Sequence, residues 1–570
     1  MEAAFSIFIT QLPHQNSPIA ISKAFIVFLF MAFASVMFSR CYNRRKKYSV
    51  RKALLPPGPK PWPIVGCLPT MLTNKSPTYQ WIHSVMKQFN TEIACIRLGN
   101  TYVIPVTSPE LALEFLRTHD SVFSSRSSIS NTVDILSRGY LTTAFSSMGD
   151  QWKKMRRILA SEILSPTMLH RMLEQRIAEA DTLLHYIFSI TSENGGGAVI
   201  NVRSITQHYC GNIIRTMLFN RRYYGKGRED GGPTSEEEEH NQALLTILRH
   251  INAFSISDFM PCLKPFDLDG HEKIMKNALN AVRKYDEPII DERVQQWKKD
   301  KKIEVKDILD ILISRKDDNG NSLLSIDEIK AQITELQIAT IDNPSNAVEW
   351  AMAELINQPE VLKKVVDELD NVVGKERLVQ EYDIPKLKYL TACLRESFRL
   401  HPFSPFNVPH VPTFDIVVNG YLIPKGSEVL LSRLGLGRNP RIWKDPIKFN
   451  PERHLKDNTV ELGLSEPNLR FITFSRGRRG CVGSSLGTNI TVMLFARLLQ
   501  GFSWSLLPGI TQIDFSKVDR EGLLLNPLQL HAEPRLSRRI IYMLRGTAWV
   551  REAQWRWPNK PPISRVRSGG

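Results

Sequence analysis

The sequence lacks paired cysteines. Its seven cysteines are widely separated and no two form a C-x-x-C pair; they are Cys41, Cys67, Cys95, Cys210, Cys262, Cys393 and Cys481. This pattern argues against a zinc ribbon and against a disulfide framework, because both need regularly spaced partners. Scattered free cysteines are typical of a domain that faces a reducing compartment. We therefore expect few of them to take part in chemistry.

The body of the chain also lacks a net positive charge, although the formal net charge of the whole is +16. Residues 40–60 contain eight Lys or Arg and no acidic residue, and residues 538–570 contain eight with one acidic residue, so these segments account for 15 of the 16 charges. A nucleic-acid-binding surface needs basic residues across the folded part. The charge distribution therefore argues against nucleic acid as a partner.

A cleavage site of the A-x-A type is absent near the start of the chain. Residues 24–39 are apolar, and the run reaches back to residue 19 if Lys23 extends to the interface; about 20 residues can span a hydrocarbon core of about 30 Å. Positive charge follows this run, whereas a cleaved signal peptide carries it in front. We therefore expect a transmembrane anchor at 19–39, a short lumenal segment at 1–18 and a cytosolic body.

Two further segments flank the body of the chain. LLPPGPKPWPIVG (54–66) cannot continue a helix and predicts a stiff, extended spacer, so residues 40–66 are expected to form a basic, proline-rich hinge. Residues 67–537 would form the main domain. The tail 538–570 mixes Trp and Arg without a clear period, which predicts a disordered extension or a gene-prediction artefact in preference to a basic membrane contact.

The fold class follows from the periodicity of the apolar residues. From about residue 70 to residue 410 the period is mostly helical, interrupted by GKGREDGGPTSEEEEH (225–240), which indicates a solvated loop. Past residue 410 short β-like runs appear, and Asn419-Gly420 between two of them predicts a hairpin turn. The sequence contains no internal repeat. It predicts one large domain that is mainly α with a smaller β portion.

The strongest chemical signal is FSRGRRGCVG (474–483), which precedes a helical pattern over 484–500. Cys481 stands just before the start of this helix and follows three nearby arginines. Cations and helix N-terminal N–H groups both favour a thiolate over a thiol. The alternative, an inert buried cysteine, does not account for the glycines, which allow the backbone to approach a flat ligand closely.

A second signal is LQIATIDNPSNAVEW (336–350), which lies within a predicted long helix. Ser325 and Glu328 form a capping box at its start, and Gln358-Pro359 ends it. One face carries residues at steps of three and four, namely Ile329, Ile333, Leu336, Ala339 and Asn343. Pro344 usually costs a helix about 3 kcal/mol and leaves the Thr340 carbonyl without its N–H donor.

The cysteine loop resembles a family signature. Phe474, Gly477, Arg479, Cys481 and Gly483 match the F-x-x-G-x-R-x-C-x-G pattern of the cytochrome P450 family, the haem-thiolate monooxygenases. The resemblance implies the cytochrome P450 fold. It also implies haem b as the cofactor, Cys481 as the axial ligand of its iron and Arg479 as a partner of a haem propionate.

Other family motifs follow in the expected order, so the resemblance extends from the anchor to about residue 536. Glu396 and Arg399, together with Arg453, resemble the Glu-Arg-Arg network that locks the haem-binding core. Trp152 and Arg156 resemble the W-x-x-x-R helix, whose members hydrogen-bond the haem propionates. The resemblance implies these roles.

The long helix departs from the usual family pattern, A-G-x-D-T-T, in which the threonine hydroxyl helps to protonate oxygen. Here residues 339–344 read ATIDNP, with Asn343 at the threonine position and Pro344 after it. The resemblance therefore implies a remodelled oxygen pocket with Thr340, Asp342 and Asn343 as its catalytic residues. A kink without a chemical role is the alternative.

One branch of the family shares this departure. IDNPSNAVEWA, PFNVPHV, PERHL, GDQWKKMRR and DGGPTSEEEEH all resemble the plant amino-acid N-hydroxylases. The resemblance implies conversion of an amino acid to its aldoxime through two N-hydroxylations, dehydration and loss of CO2, as in the formation of glucosinolates or cyanogenic glucosides. It implies that each hydroxylation uses O2 and electrons from NADPH, delivered by NADPH-cytochrome P450 reductase at the endoplasmic reticulum membrane.

The substrate-binding residues are predicted from the chemistry of a zwitterion. Its carboxylate needs an arginine or a cluster of donors, because an unpaired buried charge is costly. Arg126 and Arg138 are candidates, although Arg138 is equally consistent with a solvated side chain. Phe406 and Asn407 would face the pocket from the PFNVPHV strand. His410 would contact a haem propionate or hydrogen-bond within the strand.

Two features leave alternatives open. SRSSISNTVD (125–134) does not match the R-P-x-x-x-A-T run of the branch, and the amino acid that serves as substrate is not determined. A C-hydroxylase of a small lipophilic metabolite is one alternative. A haem-bound protein without catalytic activity is the other, and the absent threonine favours it.

Overall fold

The computed structural model describes residues 53–540, except 252, 300–303, 457–462, 517, 520–521 and 538. The predicted lumenal segment, transmembrane anchor and first part of the hinge lie outside the described residues, as does nearly all of the basic tail. In the described ranges, no helix is both long enough and apolar enough to cross a membrane. The described part is mainly helical with small sheets, which confirms the predicted fold class.

The helices of the first part of the domain surround one side of its core. They are α1 (Leu68–Thr73), α2 (Thr78–Gln88), α3 (Pro109–Leu113), α4 (Asn131–Leu136), α5 (Asp150–Ile158), α6 (Pro166–Arg171), α7 (Leu173–Glu193), α8 (Val202–Phe219), α9 (Ser235–Ile251), α10 (Ile256–Phe259) and α11 (His271–Lys298). Short π-helical turns follow α3 and α5 at Glu114–Thr118 and Leu159–Ile163, and a 3-10 turn occupies Pro261–Phe266.

The later helices complete the core. They are α12 (Ile308–Ser314), α13 (Ile326–Ile356), α14 (Pro359–Val372), α15 (Lys388–Leu400), α16 (Arg433–Gly437), α17 (Glu452–Leu455) and α18 (Ser484–Gly501), with a 3-10 turn at Glu381–Lys386. α13 packs against α8, α15 and α18 at the centre of the molecule. The helix predicted after Cys481 is therefore α18, and it lies in the core.

The strands form three small sheets. They are β1 (Ile96–Leu98), β2 (Thr101–Val106), β3 (Ala198–Asn201), β4 (Ile416–Val418), β5 (Tyr421–Ile423), β6 (Glu428–Leu431), β7 (Phe502–Ser505) and β8 (Gln529–Pro534). β2 pairs with β1 antiparallel and with β6 parallel, and β8 lies between β3 and β7. β4 and β5 form the predicted hairpin, and Asn419 and Gly420 at its turn both have positive φ, 47° and 80°. A type I′ turn requires this conformation.

Helix α13 begins and ends where the sequence predicts. The Ser325 hydroxyl accepts a hydrogen bond from the Glu328 N–H (3.2 Å), and the Ser325 N–H donates to the Glu328 carboxylate (2.8 Å), so the capping box is formed. The helix continues through Pro344 for 31 residues and stops just before α14. The proline therefore removes one hydrogen bond without ending the helix.

The predicted solvated loop at 225–240 is wrong in its second half. Helix α9 begins at Ser235, so the acidic run forms its first turn. Glu237 is fully buried, where it pairs with Arg215 and accepts a hydrogen bond from the Thr234 N–H (3.1 Å). An acidic side chain at a helix N-terminus is stabilised by the helix dipole, and the long-range partner Arg215 makes its burial possible.

The proline-rich stretch packs against the domain. The Cys95 N–H donates to the Pro57 carbonyl (2.8 Å), and the Leu422 N–H donates to the Leu54 carbonyl (2.9 Å). A Cβ at Gly58 would lie 1.9 Å from the Cys95 carbonyl oxygen, so this backbone contact needs glycine. Residues 53–66 are thus attached to the sheets of the domain, and only residues 40–52 of the predicted hinge are left outside the described part.

Candidate active site

The cysteine loop is closed by backbone hydrogen bonds. The Cys481 N–H donates to the Phe474 carbonyl (2.8 Å), and the Gly480 N–H donates to the Gly477 carbonyl (2.9 Å). Gly477 has a φ of +78°, and a Cβ there would lie 2.3 Å from a carboxylate oxygen of Asp120. Both the backbone conformation and the close approach therefore require glycine at this position.

Cys481 lies on the wall of an internal space. Its side chain is exposed, yet burial by the surrounding protein raises the pKa of its thiol. Both observations hold if the sulfur faces a space enclosed by protein. The Gly483 N–H donates a hydrogen bond to the thiol, and Arg156 and Arg433 are close enough to lower its pKa in part. Donors and cations around a sulfur favour the thiolate.

Arg479 extends from the cysteine loop into the interior. It donates to the carbonyls of Ser124 (2.5 Å), Thr143 (3.3 Å) and Ser146 (2.7 Å). Its guanidinium lies 4.7 Å from the centre of the Trp152 ring. Burial lowers the pKa of Arg479 to about 10, which shows how little solvent reaches this charge.

Helix α5 brings the other two members of the predicted propionate group to the same place. Arg156 donates to the Gly480 carbonyl (2.7 Å), which ties α5 to the cysteine loop. Trp152 is almost fully buried, and its indole N–H has no hydrogen-bond partner among the described residues. A buried donor without an acceptor is costly, so this N–H is available to a ligand.

Arg126 joins this positive cluster. It donates to the carbonyls of Ala144 (3.1 Å), Val408 (3.0 Å) and Pro409 (2.8 Å). Burial lowers its pKa well below the usual range, and the charge of Arg479 lowers it further. This repulsion shows that the two buried arginines lie close together, so a negatively charged group bound between them would stabilise both.

Two more residues border the cluster. Glu335, which the sequence analysis did not single out, is the carboxylate that raises the pKa of both Arg126 and Arg479; burial raises its own pKa. It accepts hydrogen bonds from the Ala144 N–H (2.9 Å) and the Gln332 amide (2.9 Å). His410 is buried, and its Nδ1 lies 2.9 Å from the Phe123 carbonyl oxygen, which leaves Nε2 as its other polar atom.

One face of α13 is open although most of the helix is buried. Ala339 is exposed, and Glu335, Thr340 and Asn343 are half-buried. Because Glu335 contacts the arginine cluster, this face borders the space next to the cysteine loop. The residues predicted to share a face differ in burial: Ile329, Ile333 and Leu336 pack into the hydrophobic core, whereas Ala339 is exposed.

Of the three predicted catalytic residues, Thr340 and Asn343 lie on the open face of α13 and Asp342 does not. The Asn343 amide donates to the Ala339 carbonyl (2.9 Å), and its Oδ1 has no donor among the described residues. Thr340 lies on the same open face. Asp342 points away from that face, and its carboxylate accepts from the Gln207 amide of α8 (3.0 Å). Burial raises the pKa of Asp342 to about 7.

A buried ionic network joins α15 and α17. Glu396 accepts two hydrogen bonds from Arg399 (2.8 and 2.7 Å) and one from Arg453 (2.9 Å). His454, a fourth member that the sequence analysis missed, places Nε2 2.8 Å from the same carboxylate. Burial alone would raise the pKa of Glu396, but the bonds from Arg399 and His454 lower it to about 2.

A cavity of about 780 Å³ leads to the arginine cluster and is lined by Arg126, Phe406 and Asn407. The Phe406 ring lies 6.4 Å from Phe254, so an aromatic wall faces the cavity. The Asn407 side-chain oxygen accepts from the Leu431 N–H (2.9 Å) and is therefore occupied by the fold. Arg138 is not among the residues that line this cavity; it pairs with Glu287 and Asp327.

A family model described as cytochrome P450 matches residues 56–532, which include all of this site. The chain belongs to the cytochrome P450 family. It is 54% identical to a tryptophan N-monooxygenase from Prunus mume over 91% of this chain and 96% of the relative. It is also 54% identical to an isoleucine N-monooxygenase from Lotus japonicus, over 90% of this chain and 94% of the relative. A phenylalanine N-monooxygenase from Arabidopsis thaliana is 52% identical over 85% of this chain and 92% of the relative. These matches confirm the predicted resemblance to the plant amino-acid N-monooxygenases.

The residues of this cytochrome P450 fit a haem. The family binds haem through a cysteine thiolate, and Cys481 offers an accessible sulfur with an N–H donor beside it. The Trp152 N–H without an acceptor and the arginines Arg126, Arg156 and Arg479 supply donors for two propionates. A single carboxylate, that of Glu335, offsets the charge of Arg126 and Arg479.

Proposed function

We propose that this cytochrome P450 converts an amino acid to its aldoxime. Two N-hydroxylations each consume one O2 and two electrons and release one water. The N,N-dihydroxy amino acid then loses water and CO2, and the product is R–CH=N–OH. The observation that carries this proposal is the open face of α13 with Asn343, whose Oδ1 has no donor among the described residues, in a chain similar to tryptophan, isoleucine and phenylalanine N-monooxygenases.

The cofactor role proposed for the site rests on its chemistry. A haem held by Cys481 would supply the oxygen activation of the family, with Trp152, Arg156, Arg479 and His410 at its propionates. Phe474, Gly477 and Gly483 would hold the loop that presents the sulfur. The network of Glu396, Arg399 and Arg453 would fix the segments beneath it.

The substrate role is assigned to the open face and the cavity. Asn343 Oδ1 is buried without a donor and can accept a hydrogen bond from the amino group of the substrate only after the side chain turns toward the open face. Thr340 on the same face can hold a water molecule that carries protons. Asp342, whose pKa of about 7 lies near the working pH, can exchange protons with that water only after its side chain leaves Gln207. The segment 405–411 forms isolated bridges at Phe406 and His410 instead of the predicted strand. Asn407 acts through the backbone of β6 to position this segment, which carries Phe406.

The cavity indicates the class of amino acid. Phe254, Phe259 and Phe406 form an apolar wall along it, with Arg126 at its inner end. A large apolar side chain can pack against this wall while the carboxylate of the substrate approaches the positive cluster. Three relatives of this chain are named for tryptophan, isoleucine and phenylalanine, whose side chains are of this kind, and others are named for tyrosine and valine.

The surroundings of the enzyme are proposed from the ends of the chain. Residues 19–39 would anchor it in the endoplasmic reticulum membrane, with residues 1–18 in the lumen, residues 40–52 as a basic hinge and the domain from 53 to 537 in the cytosol. NADPH-cytochrome P450 reductase in the same membrane would deliver the electrons. The tail 538–570 has no assigned role in this proposal.

The test is reconstitution of the full chain in membranes with a plant reductase, NADPH and the twenty common amino acids. Aldoximes are sought by mass spectrometry, and the carbon monoxide difference spectrum is recorded on the same sample. We expect an aldoxime from one or a few amino acids with large apolar side chains. A thiolate-type spectrum without any aldoxime would refute the proposal and favour a C-hydroxylase or an inactive haem protein.

A further inference from the structure

Arg433 occupies a rigid position next to the cysteine loop. It is the first residue of α16 and follows β6 after a single residue. Its N–H donates to the Pro405 carbonyl (2.9 Å), and the preceding Ser432 hydroxyl accepts from the Gly435 N–H (2.8 Å). The backbone under this arginine is therefore held both by the helix cap and by a hydrogen bond to the segment 404–409, which lines the cavity.

The guanidinium of Arg433 is buried without a hydrogen-bonding partner. Only 9% of the residue is exposed, and its Nε has no acceptor in the described part of the chain. The structure shows no hydrogen bond or ion pair from its other two nitrogens to any described residue. One face of the guanidinium lies 4.1 Å from the centre of the Phe403 ring, which stabilises the cation but satisfies none of its N–H groups.

Several other buried arginines have the hydrogen-bonding partners that Arg433 lacks. Arg126 and Arg479 each donate to three backbone carbonyls, and Arg399 pairs with Glu396 in addition to three carbonyls. A buried guanidinium that makes no hydrogen bond to the described residues is a costly feature for a fold to carry. Arg433 is therefore placed for something other than the stability of the domain.

Arg433 and Cys481 are near enough to interact electrostatically, so the buried guanidinium lies in the neighbourhood of the cysteine sulfur. Burial lowers the pKa of Arg433 to about 10, and the one charged group that opposes this effect is the Cys481 thiol. In return, Arg433 is one of the two cations that lower the pKa of Cys481. No carboxylate of the described residues acts on either group.

We propose that Arg433 binds a carboxylate in the space beside Cys481. A planar guanidinium with free donors matches a carboxylate in a bidentate arrangement, and the apolar Phe403 face excludes water from the pair. Two carboxylates can enter this space: that of the amino-acid substrate and a propionate of the haem. The first source rests on the proposed function but places the substrate carboxylate on Arg433 instead of on the cluster around Arg126, whereas the second needs only the haem of the family.

The experiment compares the holoenzyme with Arg433→Gln and Arg433→Lys. Glutamine removes the charge, and lysine keeps the charge but loses the planar pair of donors. Arg441→Gln is the matched control, because Arg441 lies on the same stretch of chain but is exposed and paired with Glu92 and Glu110. Each protein is assayed for haem loss to apomyoglobin and for the spectral dissociation constants of phenylalanine and of phenethylamine, its analogue without a carboxylate.

If Arg433 binds the substrate, Arg433→Gln weakens phenylalanine binding roughly tenfold to a hundredfold, because a charge-assisted hydrogen bond contributes about 1.5–3 kcal/mol. Phenethylamine binding and the rate of haem loss then stay within twofold of the wild type. If Arg433 binds a propionate, haem loss accelerates by at least tenfold and phenylalanine binding to the remaining holoenzyme is unchanged. In either case the affected quantity, the phenylalanine dissociation constant or the rate of haem loss, should be intermediate in Arg433→Lys between the wild type and Arg433→Gln.

The proposal is overturned if Arg433→Gln retains haem and binds phenylalanine as the Arg441→Gln control does. If Arg433→Gln does not assemble with haem, the same limits on phenylalanine binding and on the rate of haem loss are applied to Arg433→Lys. A wild type that binds no amino acid refutes the proposed function, and the rate of haem loss then decides on Arg433 alone.

Discussion

Glu396→Gln tests whether the buried ionic network holds the haem-binding core together. The substitution keeps the volume of the side chain and removes its negative charge. Arg399, Arg453 and His454 all point polar atoms at this carboxylate at distances of 2.7–2.9 Å, and the side chains of Glu396 and Arg399 are fully buried. A glutamine has one acceptor oxygen instead of two, and its NH2 group would face a donor.

The magnitude follows from the burial of the network. Removing one partner of a buried pair costs about 3–5 kcal/mol, because the remaining charge cannot reach water. A domain is stable by about 5–15 kcal/mol, so this loss is a large part of the total. The pKa of Glu396 is lowered to about 2, so its contribution is complete above its ordinary pKa of 4.5 and is lost only as the pH falls toward 2. The difference in unfolding free energy between the wild type and Glu396→Gln should therefore be constant between pH 6 and pH 8.

The assay is urea unfolding of the purified protein at pH 6 and pH 8, with the carbon monoxide difference spectrum as a second measurement. Glu110→Gln is the control, because Glu110 pairs with Arg441 at the surface (2.6 Å) and should cost no more than about 1 kcal/mol. We expect Glu396→Gln to unfold at lower urea and to hold less haem. A variant within about 1 kcal/mol of the wild type would refute the view that these contacts stabilise the core.

Three shorter predictions concern the site itself. Gly477→Ala should prevent assembly of the haem-binding form, because its Cβ would lie 2.3 Å from Asp120; normal haem content would contradict this. For Asp342→Asn, the free energy of unfolding relative to the wild type should rise by roughly 1.4 kcal/mol as the pH increases from 6 to 8. The pKa of Asp342 is raised to about 7, so ionisation of this carboxylate opposes folding of the wild type, and the variant lacks this effect. Equal pH slopes of the two proteins in urea unfolding would exclude this. Asn343→Ala should lower aldoxime formed per NADPH roughly tenfold, while substrate binding spectra stay normal, because it removes the free oxygen on α13; unchanged coupling, measured against Ser345→Ala, would contradict the proposed role.

The residues that the sequence analysis missed have partners far away in the chain. Glu335 meets Arg126 and Arg479, His454 meets Glu396, and Arg433 meets Cys481. Neither spacing nor residue type marks these positions, because each lies within an ordinary helical or loop pattern. A signal was present only for His454, which directly follows Arg453 in the predicted network.

Errors of the sequence analysis have the same origin. The acidic run at 225–240 has the composition of a loop, yet the contact with Arg215 on α8 makes burial of Glu237 possible and allows α9 to start early. Arg138, a candidate for substrate binding that was equally consistent with a solvated side chain, pairs with acidic residues on α11 and α13. In both cases a long-range ion pair overrides a local pattern.

The sequence by itself determined the features that depend on neighbours within a few residues: the capping box of α13, the hairpin turn at Asn419-Gly420, and the cysteine loop that leads into α18. These rest on backbone conformation and local hydrogen bonds, which the residue types at fixed spacing decide. The tertiary structure alone decided which buried charges are paired. Whether Arg126, Arg399 or Arg433 finds an acceptor depends on carbonyls and carboxylates that only the packing of distant segments brings within about 3 Å.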